Sequence, residues 1–89
     1  MTKYTLMRGT DSRDNITALW LLRGPSVDKP TECAYLGKCP PMGERGKHAA
    51  RIKQISLAKP DFYIFESLET FTRHCDTSSA GLIATWETP

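Results

Sequence analysis

The chain has 89 residues, of which 39% are hydrophobic and 25% charged, and its formal net charge is +2 at pH 7. This length allows one compact domain without a second core, and the composition is that of a folded domain rather than a disordered tail. Twelve basic against ten acidic residues exclude both a strongly acidic nucleic-acid mimic and a histone-like polycation, and no run approaches the roughly 20 apolar residues of a membrane span.

The N-terminal quarter of the chain predicts two strands. Residues 2–8 begin with β-forming residues and alternate imperfectly between polar and apolar, which favours a strand. Residues 16–23 are the most apolar run, and they fit either a buried strand that pairs back on residues 2–8 or a helix that ends at Gly24. The strand is preferred, because a run of this length is closer to the average strand than to the average helix.

The rest of the chain predicts a mixture of strands and helices. Ser67 is expected to cap a short helix at residues 68–75, whose apolar face consists of Leu68, Phe71 and Cys75. The other predicted elements are a strand at 32–36, a helix at 44–58, a strand at 61–65, a turn at 76–81 and a strand at 82–86. This order indicates a single α+β domain over residues 1–89, with a mixed or antiparallel sheet of four or five strands and two helices on one face.

The aromatic residues are expected to lie mainly in the core, because a small domain needs its large side chains inside. Trp86 is the exception: it is expected to be part-exposed and is a candidate apolar anchor for a partner. A base-stacking platform is disfavoured, since the glycine-flanked aromatic strand signature of RNA-binding modules is absent. The expected core aromatics are Trp20, Tyr35, Phe62, Tyr63, Phe65 and Phe71.

No motif for nucleotide binding or hydrolysis occurs in the sequence, and no catalytic, cofactor or metal site is predicted. A zinc site or a Cys–His catalytic pair would have to draw on the cysteines and histidines. Cys33 and Cys39 are too far apart for a zinc knuckle, and the adjacent His74 and Cys75 would point in different directions from one helix. The candidates for this weaker alternative are Cys33, Cys39, His48, His74 and Cys75.

The three cysteines and the N-terminus bear on the compartment of the protein. An odd number of cysteines cannot form a complete internal disulfide framework, and the first residues lack the apolar core of a signal peptide. Free thiols and a cytoplasmic location are therefore expected.

Charge is unevenly distributed along the chain. Residues 38–59 carry six basic residues against Glu44, a local net charge of +5, whereas residues 60–89 carry a net charge of −4. In the predicted helix at 44–58, Lys47 and Arg51 are four residues apart and share one face. The basic face defined by Arg45, Lys47, Arg51 and Lys53 would suit an acidic protein surface or a phosphate backbone, unless it is merely solvated.

In its size, its lack of catalytic motifs and its segregated charge, the chain is similar in kind to small inhibitors encoded by phages and other mobile elements, such as anti-CRISPR and anti-restriction proteins. We therefore expect a protein-binding inhibitor or adaptor that occupies a surface of a host complex through this basic face, with Trp86 as an anchor. If the partner is a nucleic-acid-processing complex, Glu66 and Glu69 could lie in its basic groove instead. The alternative is direct nucleic-acid binding by residues 38–59, and a zinc or Cys/His protein is the second alternative.

Overall fold

The computed structural model describes residues 2–26, 29–39 and 62–88. Within these ranges the elements are β1 (Thr2–Asp11), β2 (Ile16–Gly24), β3 (Glu32–Lys38), β4 (Glu66–Ser67), α1 (Leu68–His74) and β5 (Cys75–Thr88). The strands form one antiparallel sheet in the order β4-β3-β2-β1-β5, and α1 is a short helix.

The hairpin predicted at the N-terminus is confirmed. β1 pairs with β2 in continuous antiparallel register from Lys3 opposite Gly24 to Asp11 opposite Ile16. β2 lies in the middle of the sheet and is buried on both faces, which explains why its apolar residues form a continuous run rather than an alternating one. The loop between the strands ends at Asn15, which adopts a φ of 53° in the left-handed region that asparagine tolerates.

The predicted helix at 68–75 is also confirmed, as α1, and its apolar face is the expected one: Leu68, Phe71 and Cys75 belong to one core cluster. Ser67 occupies the N-cap position, but its side chain makes no capping hydrogen bond. Instead, the backbone N–H of Leu68 donates to the carbonyl oxygen of Thr31 at 3.2 Å. The loop before β3 therefore satisfies a donor at the start of the helix.

Two sequence predictions for residues 44–65 have different outcomes. The helix predicted at 44–58 lies outside the described residues, so the expectation of two helices on one face is met only for α1. The strand predicted at 61–65 is wrong for residues 62–65, which form no strand ladder; among residues 62–67, pairing with β3 begins at Glu66.

The turn predicted at 76–81 is wrong as well, because these residues belong to β5. The sheet register moves from Thr10 opposite Asp76 to Arg8 opposite Gly81. Residues 77–80 of β5 therefore lie opposite Gly9 alone and form a bulge of several residues. Asp76 Oδ1 accepts hydrogen bonds from the backbone N–H and the hydroxyl of Ser78, at 3.0 and 2.6 Å. The local hydrogen bonding is that of a polar turn, but it occurs inside a strand.

The two faces of the sheet bury different clusters. On the helix face, Trp20 makes edge-to-face contacts with Tyr35 and Phe71, with ring centroids 4.9 and 5.4 Å apart. On the opposite face, half-buried aromatic residues from the segment 62–65 and from β5 pack against buried Tyr4 and Leu21. The helix-face cluster comprises Ala18, Trp20, Leu22, Cys33, Phe71 and Cys75, and the buried residues of the opposite face are Tyr4, Leu6, Leu19, Leu21, Ala34 and Cys39.

Gly9 shows how closely β1 and β5 approach on the helix face. A Cβ added at this position would lie 2.5 Å from Cys75 Sγ and 3.5 Å from the backbone of Ala80. We expect Gly9→Ala to lower the free energy of unfolding by about 2 kcal/mol through overpacking. Urea unfolding should show that the Gly9→Ala/Cys75→Ala double variant loses less than the sum of the two single variants; strict additivity would contradict the steric explanation.

Candidate functional site

The predicted contact residues lie in different parts of the molecule. The basic residues Arg45, Lys47, Arg51 and Lys53 lie outside the described residues. Trp86 lies on β5 and is half-buried, Glu66 is exposed on β4, and Glu69 is exposed in the first turn of α1. Glu69 forms an ion pair with Arg73 one turn later, with Oε1 2.8 Å from Nη2. Glu66 and Glu69 therefore lie on either side of the junction between β4 and α1, and Trp86 lies on another strand.

Trp86 uses its ring for packing within the domain. Its indole stacks on Tyr4 of β1, with ring centroids 5.6 Å apart and an interplanar angle of 20°. The same cross-strand row continues through Arg23 to Glu32, which form an ion pair. The hydrogen bond to Glu32 raises the pKa of Arg23, and Phe65 lies against the guanidinium at 3.6 Å from the ring centroid. Trp86 thus closes one end of the sheet, and its inner ring face is unavailable to a partner.

Two clefts open on the described surface. One, of about 450 Å³, lies beside the Trp86 row and includes Thr2, Gly24 and Thr31 in its lining. The other, of about 300 Å³, includes Thr10 and Thr17. Hydroxyl groups and the charged side chains of Arg8, Arg23 and Glu32 make up most of their polar lining, and neither cleft contains a histidine or a cysteine.

Cys33, Cys39 and Cys75 are buried, and none of them forms a disulfide. Burial raises the pKa of Cys33 and of Cys75, and the neighbouring Asp76 and Asp11 raise that of Cys75 further. Both thiols are therefore protonated at neutral pH and are poor nucleophiles. Within residues 2–26, 29–39 and 62–88, no group of three or more His, Cys, Asp and Glu side chains could hold a metal ion, and no helix is long and apolar enough to cross a membrane.

Large apolar side chains are exposed immediately before β4. Phe62 is 80% and Ile64 86% exposed, whereas their neighbours Tyr63 and Phe65 pack against the core of the opposite sheet face. The prediction that Phe62 lies in the core is wrong, because exposure alternates along residues 62–65 and the residues that face the sheet are Tyr63 and Phe65. The sequence does not distinguish Ile64 from its neighbours, because residues 62–65 are an apolar run without polar alternation.

The exposed apolar pair continues into acidic residues. Glu66 is the next exposed residue in the same alternation, and no hydrogen bond or ion pair joins its carboxylate to another described side chain. Glu69 follows in the first turn of α1. We call the four residues Phe62, Ile64, Glu66 and Glu69 the docking surface.

The chain matches no protein-family model, and neither the curated proteins nor the solved structures include a significant match to it.

Proposed function

We propose that the protein is a non-enzymatic protein-binding domain, an inhibitor or adaptor that acts in the cytoplasm by occupying a surface of a host complex, in the manner of phage anti-CRISPR proteins. The observation that supports the proposal is the exposure of Phe62 and Ile64, at 80% and 86%. Single exposed apolar residues are common on protein surfaces. Two large exposed apolar side chains within three residues are a rarer feature, because clusters of exposed apolar groups mark interaction sites.

The packing of the neighbouring residues adds to this argument. Tyr63 and Phe65 contact the cluster of Tyr4, Leu21 and Ala34, so the backbone that carries Phe62 and Ile64 is attached to the core on both sides of Ile64. A segment held in this way loses little conformational entropy when it binds. Aromatic and large aliphatic side chains presented by an ordered backbone are typical contributors to binding energy.

The proposal is tested by capture of partners from a host lysate with the Phe62→Ser/Ile64→Ser variant. We expect at least a tenfold loss of the captured protein, since losing two apolar anchors costs about 2 kcal/mol or more. The matched control is Leu82→Ser, which removes a large side chain 65% exposed on β5, and which should leave capture unchanged. Circular dichroism of both variants checks that the fold is retained.

If the wild type, Phe62→Ser/Ile64→Ser and Leu82→Ser capture the partner equally well, the proposed docking surface is contradicted. The same experiment with added nuclease addresses the alternative of direct nucleic-acid binding by residues 38–59. Capture that disappears with nuclease would favour that alternative over protein binding.

A further inference from the structure

We infer that the partner presents an apolar groove bordered by basic side chains. This inference rests on the proposed function and adds the chemistry of the partner to it. It depends on the two carboxylates of the docking surface and on their position relative to Phe62 and Ile64.

The apolar and acidic parts of the docking surface are exposed and adjacent along the chain. Residues 62–65 alternate between exposed and half-buried side chains, and Glu66 is exposed in turn. Residues 64 and 65 lead directly into β4, and in strand geometry residues two positions apart lie on one side, about 7 Å from each other. An interface that covers Ile64 would therefore bring the carboxylate of Glu66 to its rim.

Among the described residues, the charge at this rim is compensated only in part. No hydrogen bond or ion pair joins the Glu66 carboxylate to another described side chain, and the Glu69–Arg73 pair is exposed on both sides, at 74% and 63% of the side-chain surface. Exposed pairs of this kind hold their partners weakly. Residues 61–69 contain Asp61, Glu66 and Glu69 and no basic residue, a local charge of −3.

These charges discriminate between possible occupants. Covering Phe62 and Ile64 removes water from Glu66, which is unfavourable unless the partner supplies a cation or donor there. A nucleic acid or an anionic lipid surface would place further negative charge against the carboxylates. A protein surface with lysine or arginine around an apolar groove both accepts the side chains and neutralises the rim.

The test uses two synthetic amphipathic peptides with the same leucine and phenylalanine face, one with lysine and one with glutamate at the flanking positions. Binding to the full chain is measured by fluorescence anisotropy at low and high salt. We expect the lysine peptide to bind at least about tenfold more tightly than the glutamate peptide, with a difference that shrinks as salt increases. Glu66→Gln/Glu69→Gln should remove most of this difference.

The control for charge is Glu87→Gln, which changes an exposed glutamate on β5. Its Oε1 lies 3.7 Å from Lys3 Nζ. The Glu87→Gln variant should leave the preference for the lysine peptide intact. If both peptides bind equally well and Phe62→Ser/Ile64→Ser abolishes that binding, the inference of a basic partner is overturned while the docking surface is supported. Binding that Phe62→Ser/Ile64→Ser does not change would count against the proposed function itself, and no binding of the lysine peptide would overturn the inference.

Discussion

Replacing Trp20 with alanine is expected to lower the free energy of unfolding by about 4 kcal/mol, the cost of emptying a site of this size in a core. Trp20 is fully buried at the centre of the helix-face cluster, where its ring contacts Tyr35 and Phe71. It is thus the residue through which β2, β3 and α1 meet. Because domains of this size have total stabilities of only about 5–10 kcal/mol, Trp20→Ala should be largely unfolded in low concentrations of urea.

Trp86→Ala is the matched control for this prediction. Trp86 also contacts a tyrosine ring, that of Tyr4, but it is half-buried at an edge strand, so its removal should cost about half as much. Trp20→Phe provides a milder test, since the buried indole Nε1 of Trp20 has no hydrogen-bond partner among the described residues and its loss removes an unsatisfied donor. Urea midpoints that ranked Trp86→Ala as the more damaging substitution would contradict this assignment of the core.

Replacing Asp11 with asparagine is expected to lower the free energy of unfolding by about 2 to 3 kcal/mol at neutral pH. The Asp11 side chain is fully buried, and its Oδ1 accepts a hydrogen bond from Arg13 Nε at 3.0 Å. Its Oδ2 accepts one from the hydroxyl of Tyr35 at 3.3 Å. The guanidinium of Arg13 also lies 4.7 Å from the centre of the Tyr35 ring, so one carboxylate holds the hairpin loop against β3.

The pH dependence of stability gives this prediction a second readout. Burial alone would raise the pKa of Asp11, but the hydrogen bonds from Arg13 and Tyr35 and the charge of Arg13 outweigh it, and the pKa lies below its ordinary value of 3.8. A lowered pKa in the folded state stabilises the protein above the unfolded value, and this contribution is lost as the pH falls through the folded value. The difference between the wild type and Asp11→Asn should therefore be constant near neutral pH and shrink below a pH of about 3.8.

Asp14→Asn is the control for Asp11, since Asp14 is exposed in the same loop. It should change stability by less than about 0.5 kcal/mol. A wild type and an Asp11→Asn variant with the same stability at every pH would show that the buried carboxylate contributes nothing net.

Local sequence patterns predicted the elements whose formation depends on neighbouring residues. The β1–β2 hairpin and α1 follow from short-range features: the length of the apolar run at residues 16–23 and the spacing of Leu68, Phe71 and Cys75. The position of β5 beside β1 pairs residues more than 60 positions apart, such as Thr10 with Asp76, and no local pattern contains that information. The polar residues around Asp76 form turn-like hydrogen bonds, but the pairing of β5 with β1 decides that they belong to a strand.

The docking surface was predictable in part, for a similar reason. The surplus of negative charge in the C-terminal third indicates Glu66 and Glu69 as candidate contact residues, because charge follows directly from residue type. The exposure of Phe62 and Ile64 could not be read in this way, since Phe62, Tyr63, Ile64 and Phe65 are all apolar and either pair could have faced the sheet. Phe65 contacts the ring of Tyr4 and the guanidinium of Arg23. These contacts determine that Tyr63 and Phe65 are the pair that faces inward.

The most direct test of the docking surface is photo-crosslinking in a host lysate with benzoylphenylalanine incorporated in place of Phe62 or, as the control, in place of Leu82. Both side chains are apolar and exposed, Phe62 to 80% and Leu82 to 65%. Phe62 lies in the segment before β4, whereas Leu82 lies on β5. We expect a defined crosslink to one protein from position 62 and none to that protein from position 82. A crosslink to the same protein only from position 82, or no protein crosslink from position 62, would contradict the account.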